Sequence, residues 1–160
     1  MGAYRQSRNI EQSLREYITD NLNADWTSPT IACELGYRNI SGNDLPIVLI
    51  RLSDTIHERV EVGTISTRRL PLVLIDIYTG NDGLRLDLKD YLITKLKGQV
   101  VYKEYTVTNN VSVGVASGTM MITSIEDTPV DFDTDKNELS VVDAHRHLLS
   151  LSINLQRVEA

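Results

Sequence analysis

Cysteine occurs once in this chain, as Cys33, which excludes an internal disulfide and fits folding in a reducing compartment. No window approaches the roughly 20 continuous apolar residues of a membrane-spanning helix, so no span is expected. Positive charge is in deficit: 16 Lys and Arg face 22 Asp and Glu, for a net charge of −6. Such a balance argues against a sequence-independent DNA binder, which needs a basic surface to displace counterions. It is compatible with a surface that nucleic acid slides past without sticking. The segment Met1–Arg8 lacks the apolar centre of a signal peptide, and Ser7 sits one position too late after Gly2 for myristoylation. Neither an internal repeat nor a low-complexity linker interrupts the 160 residues, so a single domain spanning 1–160 is expected.

What is present reads as a fold. Arg69–Thr79 is an apolar strand, Gly80–Gly83 a turn, and Leu84–Lys97 an amphipathic helix that folds back on that strand. In the strand, Leu72, Leu74 and Asp76 alternate with Val73, Ile75 and Ile77, so both faces are largely apolar, as in a central strand. Asp76 is expected to accept backbone amides near the strand end. Asp82 is expected to cap the helix. Leu84, Leu88, Tyr91, Leu92 and Leu96 share one helical face, and Gly98 takes the terminating left-handed turn.

Before this unit, Asn9–Asn23 predicts a helix capped by Asn9, with Ile10, Leu14, Tyr17, Ile18 and Leu22 on one stripe. Trp26 is expected to cover its end. Ile31–Tyr37 reads as a short strand or an irregular link, Ser41–Asp44 as a turn, and Leu45–Leu52 as a strand with Pro46 at its start. Glu58–Thr67 alternates polar and apolar residues, as a half-exposed strand or projecting hairpin arm does. Such an arm is an edge that another chain can meet.

After the unit, Gln99–Val107 is a strand that puts Val100, Tyr102, Glu104 and Thr106 on one face. Thr108–Asn110 is a turn, Val111–Gly118 a soft, weakly apolar segment in want of a partner surface, and Thr119–Asp127 a strand. Val141–Val158 is a final strand with His145, His147, Leu149, Leu151, Ile153 and Leu155 on one side.

Candidate chemistry is thin. Cys33 as a nucleophile needs a base and an electropositive setting, and none is legible. Gly80–Gly83 lacks the lysine of a phosphate loop and the dinucleotide spacing of glycines. Asp131–Glu138 resembles a calcium loop but carries Lys136 and Val142 where the turn glycine and bidentate glutamate belong. His145 and His147 lie about 7 Å apart along their strand. They suit a shared metal only with a third ligand, which the order of residues does not identify. The chain is therefore read as a non-enzyme without cofactor or metal.

The early helix Ile10–Leu22, the strand Ile47–Leu52, the run Arg69–Tyr78, the helix Leu84–Leu96 and the late strand His147–Leu155 follow an order of elements that resembles the tail terminator or tail completion proteins of long-tailed bacteriophages. The resemblance implies an α+β fold: a mixed or antiparallel sheet of about five strands flanked by two helices, with a projecting β arm. It also implies a hexameric ring in the virion neck, assembled in the host cytoplasm. The ring caps the tail tube, stops its polymerisation and joins the tail to the head-side connector or stopper, while DNA passes through the lumen without sequence-specific contacts.

Two segments suit contacts with neighbouring copies or tube protein: Glu58, Arg59, Glu61, Thr64, Arg68 and Arg69 around the arm, and Val111, Val113 and Val115 in the soft segment. Competing readings are another head–tail neck, connector or adaptor protein, a monomeric module gripping a peptide along an exposed strand, and a metal-dependent enzyme built on His145, His147 and a carboxylate.

Overall fold

The computed structural model describes residues 5–36, 40–59, 67–130 and 145–157. In chain order the elements are α1 (Gln6–Asp25), β1 (Ala32–Leu35), a 3-10 turn (Gly42–Asp44), β2 (Ile47–Arg59), β3 (Thr67–Tyr78), α2 (Asp82–Leu96), β4 (Gln99–Thr108), β5 (Val111–Pro129) and β6 (Arg146–Arg157). The fold is α+β. One six-stranded mixed sheet runs in the order β1-β2-β3-β6-β5-β4. Only β1 and β2 are parallel; the other neighbours are antiparallel. The strand beyond the expected five is β1, four residues long within the ambiguous stretch Ile31–Tyr37.

Alternation along the central strands builds the core. Val48 and Ile50, then Val73, Ile75 and Ile77, then Leu149, Leu151 and Ile153 are buried on one face of the sheet. Against them lie Ile10, Leu14, Ile18 and Leu22 of α1 and Leu88, Leu92 and Leu96 of α2, in one continuous cluster. Each helix thus buries the stripe its spacing prescribes. The two helices meet near their C-terminal ends: Tyr17 donates to Lys95 O at 2.8 Å, Tyr91 donates to Asn21 O at 2.8 Å, and Trp26 packs edge-on against Tyr91. Trp26 therefore covers the helix end as expected. A smaller cluster of Ile47, Leu49 and Tyr78, covered by Ile40 and Leu45, occupies the opposite face.

Several local expectations are overturned. α1 begins at Gln6, so Asn9 is no cap; it is buried on the inner side of the helix. Its Nδ2 lies 3.3 Å from the Tyr102 hydroxyl, and its Oδ1 accepts from Tyr105 N at 3.4 Å. The cap of α2 is Asn81, whose Oδ1 accepts from Leu84 N at 2.8 Å; Asp82 falls inside the first turn instead. Val111–Gly118 is no soft link but the first part of β5, paired with β4 from Thr108↔Val111 onward. Asn109 and Asn110, both at positive φ, make the tight two-residue turn between the strands, the conformation asparagine tolerates best after glycine. Between Tyr102↔Gly118 and Lys103↔Ala116 the ladder skips Ser117 of β5, and beside this bulge the alternation of β4 shifts. Tyr105 and Val107, not Glu104 and Thr106, therefore continue the face of Val100 and Tyr102.

Candidate assembly interface

Both edge strands of the sheet, β1 and β4, pack on α1, so the sheet curls about that helix. Polar side chains of α1 reach the backbone of those two strands and of β2. Ser13 Oγ accepts from Lys103 N at 3.0 Å, Arg15 Nε donates to Cys33 O at 3.2 Å, and Glu11 accepts from Leu52 N at 2.7 Å. Edge groups that would otherwise invite another strand are in this way occupied from within.

The sheet is open elsewhere. The last β3–β6 pair is Leu72↔Ser152, and the last β5–β6 pair is Gly118↔Arg157. Beyond these rows the sheet forks into two hairpin arms. One is β2–β3, from Thr55↔Pro71 to Arg59↔Thr67; the other is the outer part of β4–β5. The antiparallel order sends both arms to the same end of the sheet, beside the start of α1. Arg69 Nη1 there donates to Gln6 Oε1, and Tyr105 donates to Glu16. Among the described residues, no strand pairs with β5 over Val111–Ser117 on the side away from β4.

The β4–β5 arm carries the largest run of exposed apolar side chains. Val107, Val111, Val113 and Val115 are 65%, 59%, 50% and 63% exposed. Between Glu104 and Glu126 the sequence holds no charged residue. Edge strands of monomeric proteins are commonly guarded by lysine, proline or inward charge, and this one has none of these over its open length. The arm is rigidly seated. The Tyr105 ring lies over Gly114, where an added Cβ would come within 2.5 Å of the ring. Lys103 Nζ and the Tyr105 hydroxyl both donate to Glu16. The bond from Lys103, then that from Tyr105, hold the Glu16 carboxyl below its ordinary pKa against the opposing effect of burial.

The sequence-derived interface residues divide between the arms. Val111, Val113 and Val115 share one exposed face of β5. Glu58 is exposed near the end of the described part of the other arm, and Arg69 is turned to Gln6. Arg59 and Arg68 take part in the β2–β3 ladder, opposite Thr67 and Glu58, and their side chains lie outside what is described. Glu61 and Thr64 lie outside the described residues, as does the acidic segment Asp131–Glu138. Ile56 and Val107 were missed by the sequence reading. The sign of Val107 was present in its alternation with Tyr105, once the bulge is known.

The polar candidates are engaged structurally. Asp76 is 1% exposed and receives no backbone amide among the described residues; Arg146 donates to its Oδ1 at 2.9 and 3.3 Å, and Arg51 Nε stands 3.7 Å from its Oδ2. His145 Nδ1 lies 3.0 Å from Asp82 Oδ1, outside β6. His147 is buried in β6, against Asp127 on one side and Arg85 Nη1, 2.7 Å from Nδ1, on the other. Arginine only donates, so Nδ1 accepts and Nε2 carries the hydrogen facing Asp127. Burial raises the Asp127 carboxyl, but bonds from His147 and Lys89 outweigh it and leave the pKa lowered. The two imidazoles thus serve different carboxylates. Among the described residues no group of three or more His, Cys, Asp or Glu side chains is arranged to hold a metal ion. Cys33 is buried and its thiol is pushed up to about 12, chiefly by burial. No helix among the described residues is long and apolar enough to cross a membrane.

No protein-family model matches the sequence, and comparison with curated proteins finds no match. A solved structure of 12% sequence identity aligns over 96% of this chain and 97% of its own, at a TM-score of 0.49, and carries no functional argument.

Proposed function

We propose that this chain is a structural subunit that closes into a ring with copies of itself, as a tail terminator or completion protein in the neck of a bacteriophage tail. In this reading the ring seats on tube protein, halts tube growth and presents its other side to the head connector. DNA passes through the lumen, which the net charge of −6 favours because an acidic wall does not retain a duplex. No residue is assigned a catalytic role.

One observation carries the proposal: the outer strand of the β4–β5 arm, Val111–Ser117 of β5, which has no charged residue, a row of exposed valines and, among the described residues, no strand on its far side. A cyclic assembly gives every such edge a neighbour and leaves none over. The experiment is a double substitution, Val113→Lys with Val115→Lys, which installs the guard that edge strands ordinarily carry. Both positions are exposed, so subunit stability is expected to change by no more than about 0.5 kcal/mol. Self-assembly, read by light scattering, is expected to be lost. Assembly unchanged in this variant would remove the arm from the interface. A wild-type chain that binds peptides as a single subunit would favour the strand-addition module instead.

A further inference from the structure

The two arms flank the start of α1 differently, and the difference suggests how one copy meets the next. On the β4–β5 side lies a cavity of about 210 Å³ lined by Arg5, Arg8, Leu35, Tyr105 and Val107, with Glu11 at its wall. Glu11 accepts from Leu52 N through one oxygen, and its single carboxylate leaves the two arginines in excess. Arg5 and Arg8 are exposed, and neither has a hydrogen-bonding or ionic partner among the described residues. The cavity thus offers Leu35, Tyr105 and Val107 beside Ser112 on its β side, and two arginines against one carboxylate, with Asn9 and Gln12, on its helix side.

The β2–β3 arm offers the complement. Thr55, His57 and Pro71 of this arm face α1 across a smaller depression beside Gln6 and Ile10. By alternation, Ile56 and Glu58 share the opposite, outward face. Ile56 is 60% exposed, and Glu58 is exposed with no partner among the described residues. An apolar side chain and a carboxylate, two residues apart, therefore stand on one arm. An apolar wall and two guanidiniums without a partner among the described residues stand beside the other arm, at the same end of the sheet. A head-to-tail contact requires two different patches that match each other. These two match in both polarity and charge.

Resting on the ring reading above, we propose that the cavity beside Arg5 and Arg8 receives the outward face of a second copy's β2–β3 arm. Ile56 packs on Val107 and Leu35, and Glu58 pairs with Arg5 and Arg8. Carboxylate–guanidinium pairs are charge-assisted and orient well, which gives the contact direction as well as affinity. The valine face of β5 is left for the broader contact with neighbour or tube.

A charge-swap cycle in the full chain tests this. Glu58→Arg places like charges together, as does Arg5→Glu with Arg8→Glu. Each is expected to raise the concentration needed for assembly at least about tenfold, because juxtaposed like charges are strongly unfavourable. Combining Glu58→Arg with the two arginine reversals is expected to restore assembly to near the wild-type concentration. Thermal unfolding of the dissociated subunits checks that each variant is folded; Glu58→Gln and Arg8→Gln, which remove charge without reversal, replace any variant that is not. The pairing is overturned if the single-sided variants assemble like wild type, or if the combined variant fails to recover. A wild-type chain that stays a single subunit, alone and with tube protein, overturns the ring reading itself, whereas a retained wild-type ring indifferent to these charges overturns only the pairing.

Discussion

Asp76 shows how a single side chain can be read correctly as structural and still be given the wrong partner. Its neighbours in sequence offer no cation, so backbone amides looked like its natural donors. Arg146, seventy positions later, enters only because β6 pairs with β3 and sets Arg146 opposite Tyr78. The guanidinium both bonds the carboxylate and lies 4.9 Å from the Tyr78 ring centroid. Removing one member of a buried pair strands the other's charge. Arg146→Ala is therefore expected to cost about 3 kcal/mol, toward the lower end for such pairs because Arg51 remains nearby; urea unfolding measures it. Glu16 gives a pH dependence. Its folded pKa lies below the ordinary value, so its contribution is complete above that ordinary value and disappears as pH falls through the lowered one. Stability is expected to decline as pH falls below the ordinary glutamate value of 4.5 and through the lowered one, and Glu16→Gln to flatten that decline in unfolding curves taken across acid pH.

At the scale of elements, long apolar periodicities were legible and local irregularities were not. The stripe of α1, the helix ending at Gly98 and the alternation His147–Leu149–Leu151–Ile153 all follow from spacing alone. Asn9 resembled a cap because asparagine before an apolar stripe usually is one. Its actual partners on β4 lie more than ninety residues away. The bulge at Ser117 of β5 goes with a reversal of which β4 side chains face α1, and nothing in the run Val100–Val107 announces it. The serines and glycines of Val111–Gly118 suggested softness, yet Gly114 is where the Tyr105 ring needs room. Gly114→Ala should destabilise the subunit by about 1–3 kcal/mol through overpacking. The same change in a Tyr105→Ala background should be nearly neutral, and a double-mutant cycle by denaturant unfolding reads the coupling. Independent, additive effects would mean that the ring does not seat the arm.

For the whole molecule, the governing contrast is between edges that α1 closes and edges that the fork leaves open. Ser13, Arg15 and Glu11 occupy backbone groups of β4, β1 and β2, so the body of the sheet is protected within one chain. The arms extend past that protection, one with an uncharged outer strand and the other with an apolar residue and a carboxylate outward. A sequence reveals such a fork only when the strand pairing is known, and local spacing does not give the pairs Thr55↔Pro71 to Arg59↔Thr67 or those of the outer β4–β5 ladder. The most direct measurement is the native mass of the purified full-length protein over a concentration series, alone and with tail tube protein. The account predicts a discrete closed multiple of the 18.0 kDa subunit, formed alone or on the tube; a subunit mass that persists at every concentration, with and without tube protein, would contradict it.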